Sequence, residues 1–335
     1  MNLKTLLEGA FMLDYWNEYP KIQKNLIQVK NLISQRLVIN NKSIEEAIQK
    51  FSSTGGKMIR PALFFLFADF GDKNDQDQLI KVAASIELLH SATLIHDDII
   101  DDSPARRGMP SIQSQFGKDV AVYTGDFMYT SYFELLAECM SQTPFLLKNA
   151  QAMKKILQGE LTQMSCTFNP DQTIGDYLRN INGKTAELIR LSCHEGAFFG
   201  GSDEKLQARA KRIGSAIGLA FQVYDDILNF SLELGEEQKP ILTDVQQGIF
   251  TLPLLIARDS RPEIIRPYLE SPETLSQQEL IQLADYVESF GGIAGALNFA
   301  ENLTQKALSE IEGLPDGKSK AILKTVALQL LERSY

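Results

Sequence analysis

The chain has 335 residues, with 33 Lys plus Arg against 43 Asp plus Glu and a formal charge of -10. A hydrophobic content of 44% with 23% charged residues excludes a mainly disordered chain. The acidic total argues against broad nucleic-acid binding, which needs a basic face, and leaves the question of anionic substrates to local charge.

The N-terminal stretch MNLKTLLEGAFMLDYW carries Glu8 and Asp14 where a signal peptide needs an uninterrupted apolar core, and its spacing suits an amphipathic helix. Helical periodicity follows over 21–38. The most apolar run, 61–68, is shorter than the roughly 18 residues of a membrane span, so no transmembrane segment is expected. Residues 69–77 (DFGDKNDQD) read as a solvated acidic loop. The segment 78–102 (QLIKVAASIELLHSATLIHDDIIDD) has apolar residues three and four apart, no Gly or Pro, and many good helix formers. The same pattern recurs at 120–140, 174–199, 204–230, 276–290 and 297–311. Breakers stand between these segments: Gly55-Gly56, Gly71, Pro104, Gly108-Met109-Pro110, Pro170, Pro240, Gly291-Gly292 and Pro315.

Period-2 alternation is scarce, and Asn182-Gly183 lies in a helical context instead of between strands. No repeat and no long linker interrupts the chain, so a single all-α domain over residues 1–335 is expected. Cys139, Cys166 and Cys193 lie far apart without metal-ligand spacing, as in a reducing compartment with inert thiols. A cytoplasmic location follows as the expectation.

Two acidic clusters interrupt apolar helices. Asp97, Asp98, Asp101 and Asp102 end the 78–102 segment in HDDIIDD, and Asp97 and Asp101 share a helix face one turn apart. A helix C-terminus disfavours negative charge, so the cluster stands against its local electrostatics and calls for cations. All-oxygen ligands favour Mg2+ or Mn2+ over zinc. Asp225 and Asp226 form a second cluster, with Asn229 as a neutral oxygen donor on the Asp225 face. Two such helices facing each other in a bundle could hold several Mg2+ ions, whose remaining ligands are normally substrate phosphate oxygens.

The basic residues agree with phosphate binding. Gly55-Gly56-Lys57-Met58-Ile59-Arg60-Pro61 joins flexible backbone N–H groups to two cations, and Arg106-Arg107-Gly108 follows the first cluster at once. Lys184-Thr185 and Lys239-Pro240 add two further candidate contacts. Gly183-Lys184-Thr185 is not a P-loop, because Leu178 stands where that motif needs Gly. His90 shares a face with Asp97 and is read as a site residue, while His96 suits a structural hydrogen bond and His194 is open to either reading. Neither a Ser-His-Asp nor a Cys-His constellation is indicated.

These motifs together resemble the trans-isoprenyl diphosphate synthases, the polyprenyl synthetase family, in particular its medium- and long-chain bacterial members. GGKMIRP, HSATLIHDDIIDDSPARRGMPS, GKTAELI, FQVYDDILN and the KP–(x)3–D–(x)3–G–(x)2–TLP run follow in the family's order from about Gly55 to Pro253. The resemblance implies an isoprenoid-synthase fold, a bundle of roughly ten or more helices around a central apolar cavity. It implies ionisation of an allylic diphosphate such as farnesyl diphosphate, attack by isopentenyl diphosphate, and proton loss, without a protein nucleophile. Carried over to this chain, up to three Mg2+ ions would be bound by Asp97, Asp101 and Asp225, with Asp98 and Asp226 in support. Arg106, Lys184 and Lys239 would hold the allylic diphosphate, and Lys57, Arg60, His90 and Arg107 the isopentenyl diphosphate. Thr185 and Gln222 would offer oxygens near the developing cation.

This chain departs from the pattern at Asn229, where the family's last acidic position stands, and at Ile249, where many members have Lys. Ala92, five residues before Asp97, takes the place where short-chain members often have an aromatic floor. Thr93, Leu89 and Ser85 continue along that helix, and Tyr129 or Phe133 on the next helix could supply a floor. Small groups at Ala92 and Ser85 imply a product of about C30–C50. The family implies a homodimer, with a catalytic or regulatory subunit of a heteromeric synthase as an alternative. A terpene cyclase is the other alternative, since Asp225-Asp226-(x)2-Asn229-(x)3-Glu233 approaches a cyclase metal motif; GGKMIRP and Arg106-Arg107 point instead to a second diphosphate.

Overall fold

A computed structural model describes residues 15–53, 56–106, 108–230 and 242–331. Of the helix expected over residues 1–16, residues 1–14 lie outside the described residues, and Tyr15 and Trp16 lie in a turn. The helices up to Met140 are α1 (Pro20–Arg36), α2 (Lys42–Ser53), α3 (Ile59–Ala68), α4 (Gln76–Ile100), α5 (Ile112–Phe116) and α6 (Lys118–Met140). Then come α7 (Phe145–Cys166), α8 (Ile174–Ile181), a π-helical turn (Asn182–Ala186), α9 (Glu187–Phe199) and α10 (Glu204–Leu228). The remainder is α11 (Thr243–Gln246), α12 (Leu252–Ser260), α13 (Pro262–Leu269), α14 (Gln277–Ser289), α15 (Gly292–Glu312) and α16 (Lys318–Leu331). The only strands among the described residues are a two-residue antiparallel pair, Ala105 opposite Pro110 and Arg106 opposite Met109.

By contact, the chain divides into two compact units, Met1–Asn149 with Ser192–Ala210, and Ala150–Leu191 with Lys211–Tyr335. In the first unit α4 packs along α6 and against α1 and α3. The all-apolar face of α3 disappears into this core, with Leu63, Phe64, Leu66 and Phe67 all at 0% exposure. Gln76–Ile100 is long and apolar enough to cross a membrane by composition alone, yet most of its apolar stretch is buried inside the unit, as in a core helix. Residues 69–77 are only partly the loop that their charge suggests. Asp75 caps α4 by accepting from the Gln78 N–H at 3.1 Å, and Asp77 lies in the first turn, where the helix dipole favours a carboxylate.

One buried polar group stands out in the first unit. Glu195 is 0% exposed and accepts from the Asn149 amide, whose own oxygen accepts from the Tyr132 hydroxyl at 3.2 Å. Burial pushes the Glu195 carboxyl up to about 8. Nearby, burial also pushes the Cys139 thiol up to about 12, while Cys166 is only half-buried.

In the second unit α12 packs on α15, which in turn packs on α14 and α16. Reciprocal capping boxes start two of its helices, Thr173 with Asp176 at α8 and Ser276 with Glu279 at α14. Arg258 is buried and donates to the carbonyls of Pro170 and Gln172 at 2.8 and 2.6 Å, tying α12 to the turn before α8. The stretch expected as one helix over 174–199 is interrupted by the π-helical turn, which places one residue more in the turn than an α-helix would.

Candidate active site

The first acidic cluster closes α4. Asp97 is half-buried, Asp101 and Asp102 are exposed, and Asp98 is only 2% exposed. The short hairpin after the helix, turning at Gly108 with φ 74°, returns Arg106 to the helix end. There its Nε donates to Asp98 Oδ1 at 2.6 Å. Lys118 reaches Asp102 at 2.8 Å and holds that carboxyl below its usual range. The electrostatic conflict at this helix end is thus partly relieved by protein cations, on the two aspartates that alternate with Asp97 and Asp101. Those two remain one turn apart on one face, joined by the backbone bond from Asp101 N to Asp97 O at 2.8 Å.

Other expected site residues belong to the same unit. His90 lies two turns before Asp97, half-buried, and its carbonyl accepts from the Thr93 hydroxyl at 2.7 Å. Lys57 is exposed, with its ammonium 4.5 Å from the Tyr15 ring centre and its carbonyl bound by Trp16 Nε1 at 2.6 Å. Arg60 is half-buried at the start of α3. Gly55 and Arg107 lie outside the described residues. His96 sits 3.4 Å from Asp126 and packs on the Tyr129 ring. His194 is buried with its ring edge-on to Phe145. Ala92 and Ser85 are fully buried on α4 and Leu89 nearly so, whereas Phe133 on α6 is 45% exposed, its ring tilted against that of Tyr132.

In the second unit a hydrogen-bonded chain joins the π-helical turn to the second acidic cluster. Thr185 Oγ1 donates to Gln222 Oε1 at 2.6 Å, and Gln222 Nε2 donates to Asp226 Oδ1 at 2.8 Å. The Tyr177 hydroxyl, from α8, donates to Asp226 Oδ2 at 2.5 Å. Burial raises the Asp226 carboxyl to about 7 against the lowering effect of those two donors. Both Asp226 oxygens accept from protein donors, and Asp98 Oδ1 accepts from Arg106, so in each cluster the second aspartate is engaged by the protein itself. Asp225, beside it, is half-buried. Asn229 donates through Nδ2 to Asp244 Oδ2 at 2.7 Å, and Ile249 N is bonded to Asp244 O at 2.8 Å. Lys184 is half-buried and paired with Glu160 at 2.9 Å. Lys239 and Glu233 lie outside the described residues.

Tyr177 and Glu160 carry no local signal of their own in the sequence, whereas Asp244 does. Asp244 stands inside the KP–(x)3–D run and was reachable from it; the other two become visible only through contacts across 49 and 24 residues.

A Mg2+ ion suits these donors on chemical grounds. The clusters present carboxylate oxygens, and among the described residues no three His, Cys, Asp or Glu side chains gather as a protein cage. A hard cation that keeps several waters and is completed by phosphate oxygens needs only one or two carboxylates from the protein.

Residues 41–287 match the family described as polyprenyl synthetase. Over 317 residues the chain is 31% identical to heptaprenyl diphosphate synthase component 2 of Bacillus subtilis (strain 168), covering 95% of this chain and 90% of that protein. The crystal structure of geranylgeranyl pyrophosphate synthase from Lactobacillus brevis ATCC 367 superposes with a TM-score of 0.91 at 36% identity, covering 96% of this chain and 100% of that one. Heptaprenyl diphosphate synthase from Staphylococcus aureus superposes with a TM-score of 0.88 at 31% identity, covering 94% and 99%. The all-α isoprenoid-synthase fold expected from the sequence is therefore the fold of this chain.

Proposed function

The chain belongs to the polyprenyl synthetase family and is a chain-elongating trans-prenyltransferase, and we propose that it condenses an allylic diphosphate such as farnesyl diphosphate with successive isopentenyl diphosphates. In each cycle the allylic C–O bond breaks with its electron pair leaving on diphosphate. The isopentenyl double bond attacks the allylic carbon, and a proton passes to the released diphosphate. Bound Mg2+, up to three ions, supplies neutralisation of the departing diphosphate. Asp97, Asp101 and Asp225 would hold those ions, with Asp98 and Asp226 in support. Arg106, Lys184 and Lys239 bind the allylic diphosphate, and Lys57, Arg60, His90 and Arg107 bind isopentenyl diphosphate. The oxygens of Thr185 and Gln222 face the developing positive charge.

The observation that carries this reading is the locking of Asp98 by Arg106 and of Asp226 by Tyr177 and Gln222, which leaves a supported aspartate pattern in each cluster. A carboxylate cluster used only for solubility has no need of buried donors to its second member. The small side chains at Ala92 and Ser85 support a product of about C30–C50. Incubating the purified chain with farnesyl diphosphate, isopentenyl diphosphate and Mg2+ and measuring product length tests both parts. Asp97→Ala should abolish turnover, and a product of about C20 or shorter would overturn the tunnel argument. Ala92→Phe should shorten the product, and an unchanged length rejects Ala92 as lining the path.

The relative named component 2 supports a second reading, in which this chain works with a different subunit in place of a second copy of itself in a homodimer. A purified chain that is inactive alone and active with an added partner supports it. Loss of that activity on Asp97→Ala then assigns the chemistry to this chain. A cytoplasmic location is part of the same proposal.

A further inference from the structure

Two helical segments of the second unit cross at unusually short range. A Cβ added at Gly159, on α7, would stand 3.0 Å from Lys184 N and 3.3 Å from Gly183 Cα. A Cβ added at Gly183 would stand 3.1 Å from Lys155 O and 3.2 Å from Gly159 Cα. The backbones touch because neither residue carries a side chain. Around this contact two ion pairs run in opposite senses. Lys155 of α7 reaches Glu187 of α9 at 2.7 Å, and Glu160 of α7 receives Lys184 of the π-helical turn at 2.9 Å. Glu187 is 2% exposed, and although burial alone would raise its carboxyl, donors from Arg190 and Lys155 hold it below the usual range. The first pair is thus a structural clamp.

The second pair differs. Its carboxylate, Glu160, is 20% exposed where Glu187 is 2%, so although both lysines are open to solvent (Lys184 37%, Lys155 42%), only here can an anion both reach the ammonium group and displace the carboxylate that holds it. We infer that Glu160 is a positioning residue that holds Lys184 aimed for the allylic diphosphate and competes with that diphosphate for it. This rests on the reading of Lys184 as a diphosphate contact. Two opposed consequences follow. The carboxylate weakens ground-state binding, because the diphosphate must share or displace it. It also keeps a four-carbon side chain from sampling other rotamers, so that the cation is in place as charge builds on the leaving group. A merely structural glutamate would move binding and turnover in the same direction.

The test measures binding of inorganic diphosphate with Mg2+ by calorimetry, and kcat with farnesyl and isopentenyl diphosphates. Glu160→Gln should bind diphosphate about three- to fivefold more tightly, the range for a partly exposed ion pair, while kcat falls. In a Lys184→Gln background the same substitution should give no tightening, which separates the pair from a general loss of negative charge. Glu160→Asp keeps the charge at shorter reach and should fall between wild type and Glu160→Gln, which keeps the test valid if the glutamine variant folds poorly. Unchanged or weaker binding in Glu160→Gln, with Lys184→Gln still weakened, overturns the inference and leaves the diphosphate reading intact. Unchanged binding in Lys184→Gln overturns both.

Discussion

Tyr177→Phe isolates one hydroxyl. Tyr177 is 3% exposed and Asp226 5% exposed, so no bulk water can replace the lost donor, and the ring that fills the core is retained. A hydrogen bond from a buried hydroxyl to a carboxylate contributes about 1.5–3 kcal/mol, and the bond here is short at 2.5 Å. For a cooperative unit of this size that corresponds to a fall in Tm of about 3–10 °C. Asp226 is also bonded to Gln222, which is bonded to Thr185, so the loss should carry to the π-helical turn and lower kcat by about tenfold, or roughly 1.4 kcal/mol. Thermal unfolding and steady-state turnover measure the two effects. Asp226→Asn in the same background should add less than its effect alone, because both changes act on one bond. A Tyr177→Phe protein with wild-type Tm and wild-type kcat refutes the reasoning outright.

Gly218→Ala should destabilise the chain by about 1–3 kcal/mol, because its Cβ would stand 2.7 Å from Ala186 Cα; urea unfolding checks this. Glu195 has a folded-state value of about 8 against an ordinary 4.5, so the native chain keeps a proton that the unfolded chain releases. Stability therefore falls as pH rises between those values and stays reduced above them. Unfolding at pH 6 and pH 9 should show a loss of about 2–3 kcal/mol from this group that Glu195→Gln, neutral throughout, does not share. Asn229→Asp places a second carboxylate against Asp244 where an amide now donates, so the metal-free protein should lose about 1 kcal/mol. Mg2+ with inorganic diphosphate should then raise the Tm of that variant by more than it raises the wild type's.

The long helices were legible because their apolar spacing is the spacing of the buried face: α4, α6, α10, α14 and α15 each fall on a periodic segment. The helix α7 escaped because Leu146, Leu147, Leu157, Leu161 and Met164 are exposed, which makes the helix apolar on more than one side and blurs its stripe. Prolines hid α12 and α13, although Pro253 and Pro262 lie in their first turns, where a missing N–H costs little. In the candidate site, the acidic clusters and the Lys184-Thr185 step could be read from local pattern and order. Gln222, one donor to Asp226, could be read with them, but Tyr177, the other donor, and Glu160, the partner of Lys184, could not, because a tyrosine in α8 and a glutamate in α7 look like any others until the chain has folded.

The π-helical turn Asn182–Ala186 has a genetic consequence. Its extra residue does not disturb the faces that α8 and α9 present on either side, since the surplus is absorbed locally. Removing one codon from this stretch would let the backbone close into an unbroken α-helix with the flanking faces kept in phase, while Lys184 and Thr185 lose their exposure and aim. A protein altered in that way should lose the turn that carries the proposed diphosphate contact Lys184, which turnover assays and thermal unfolding together would show.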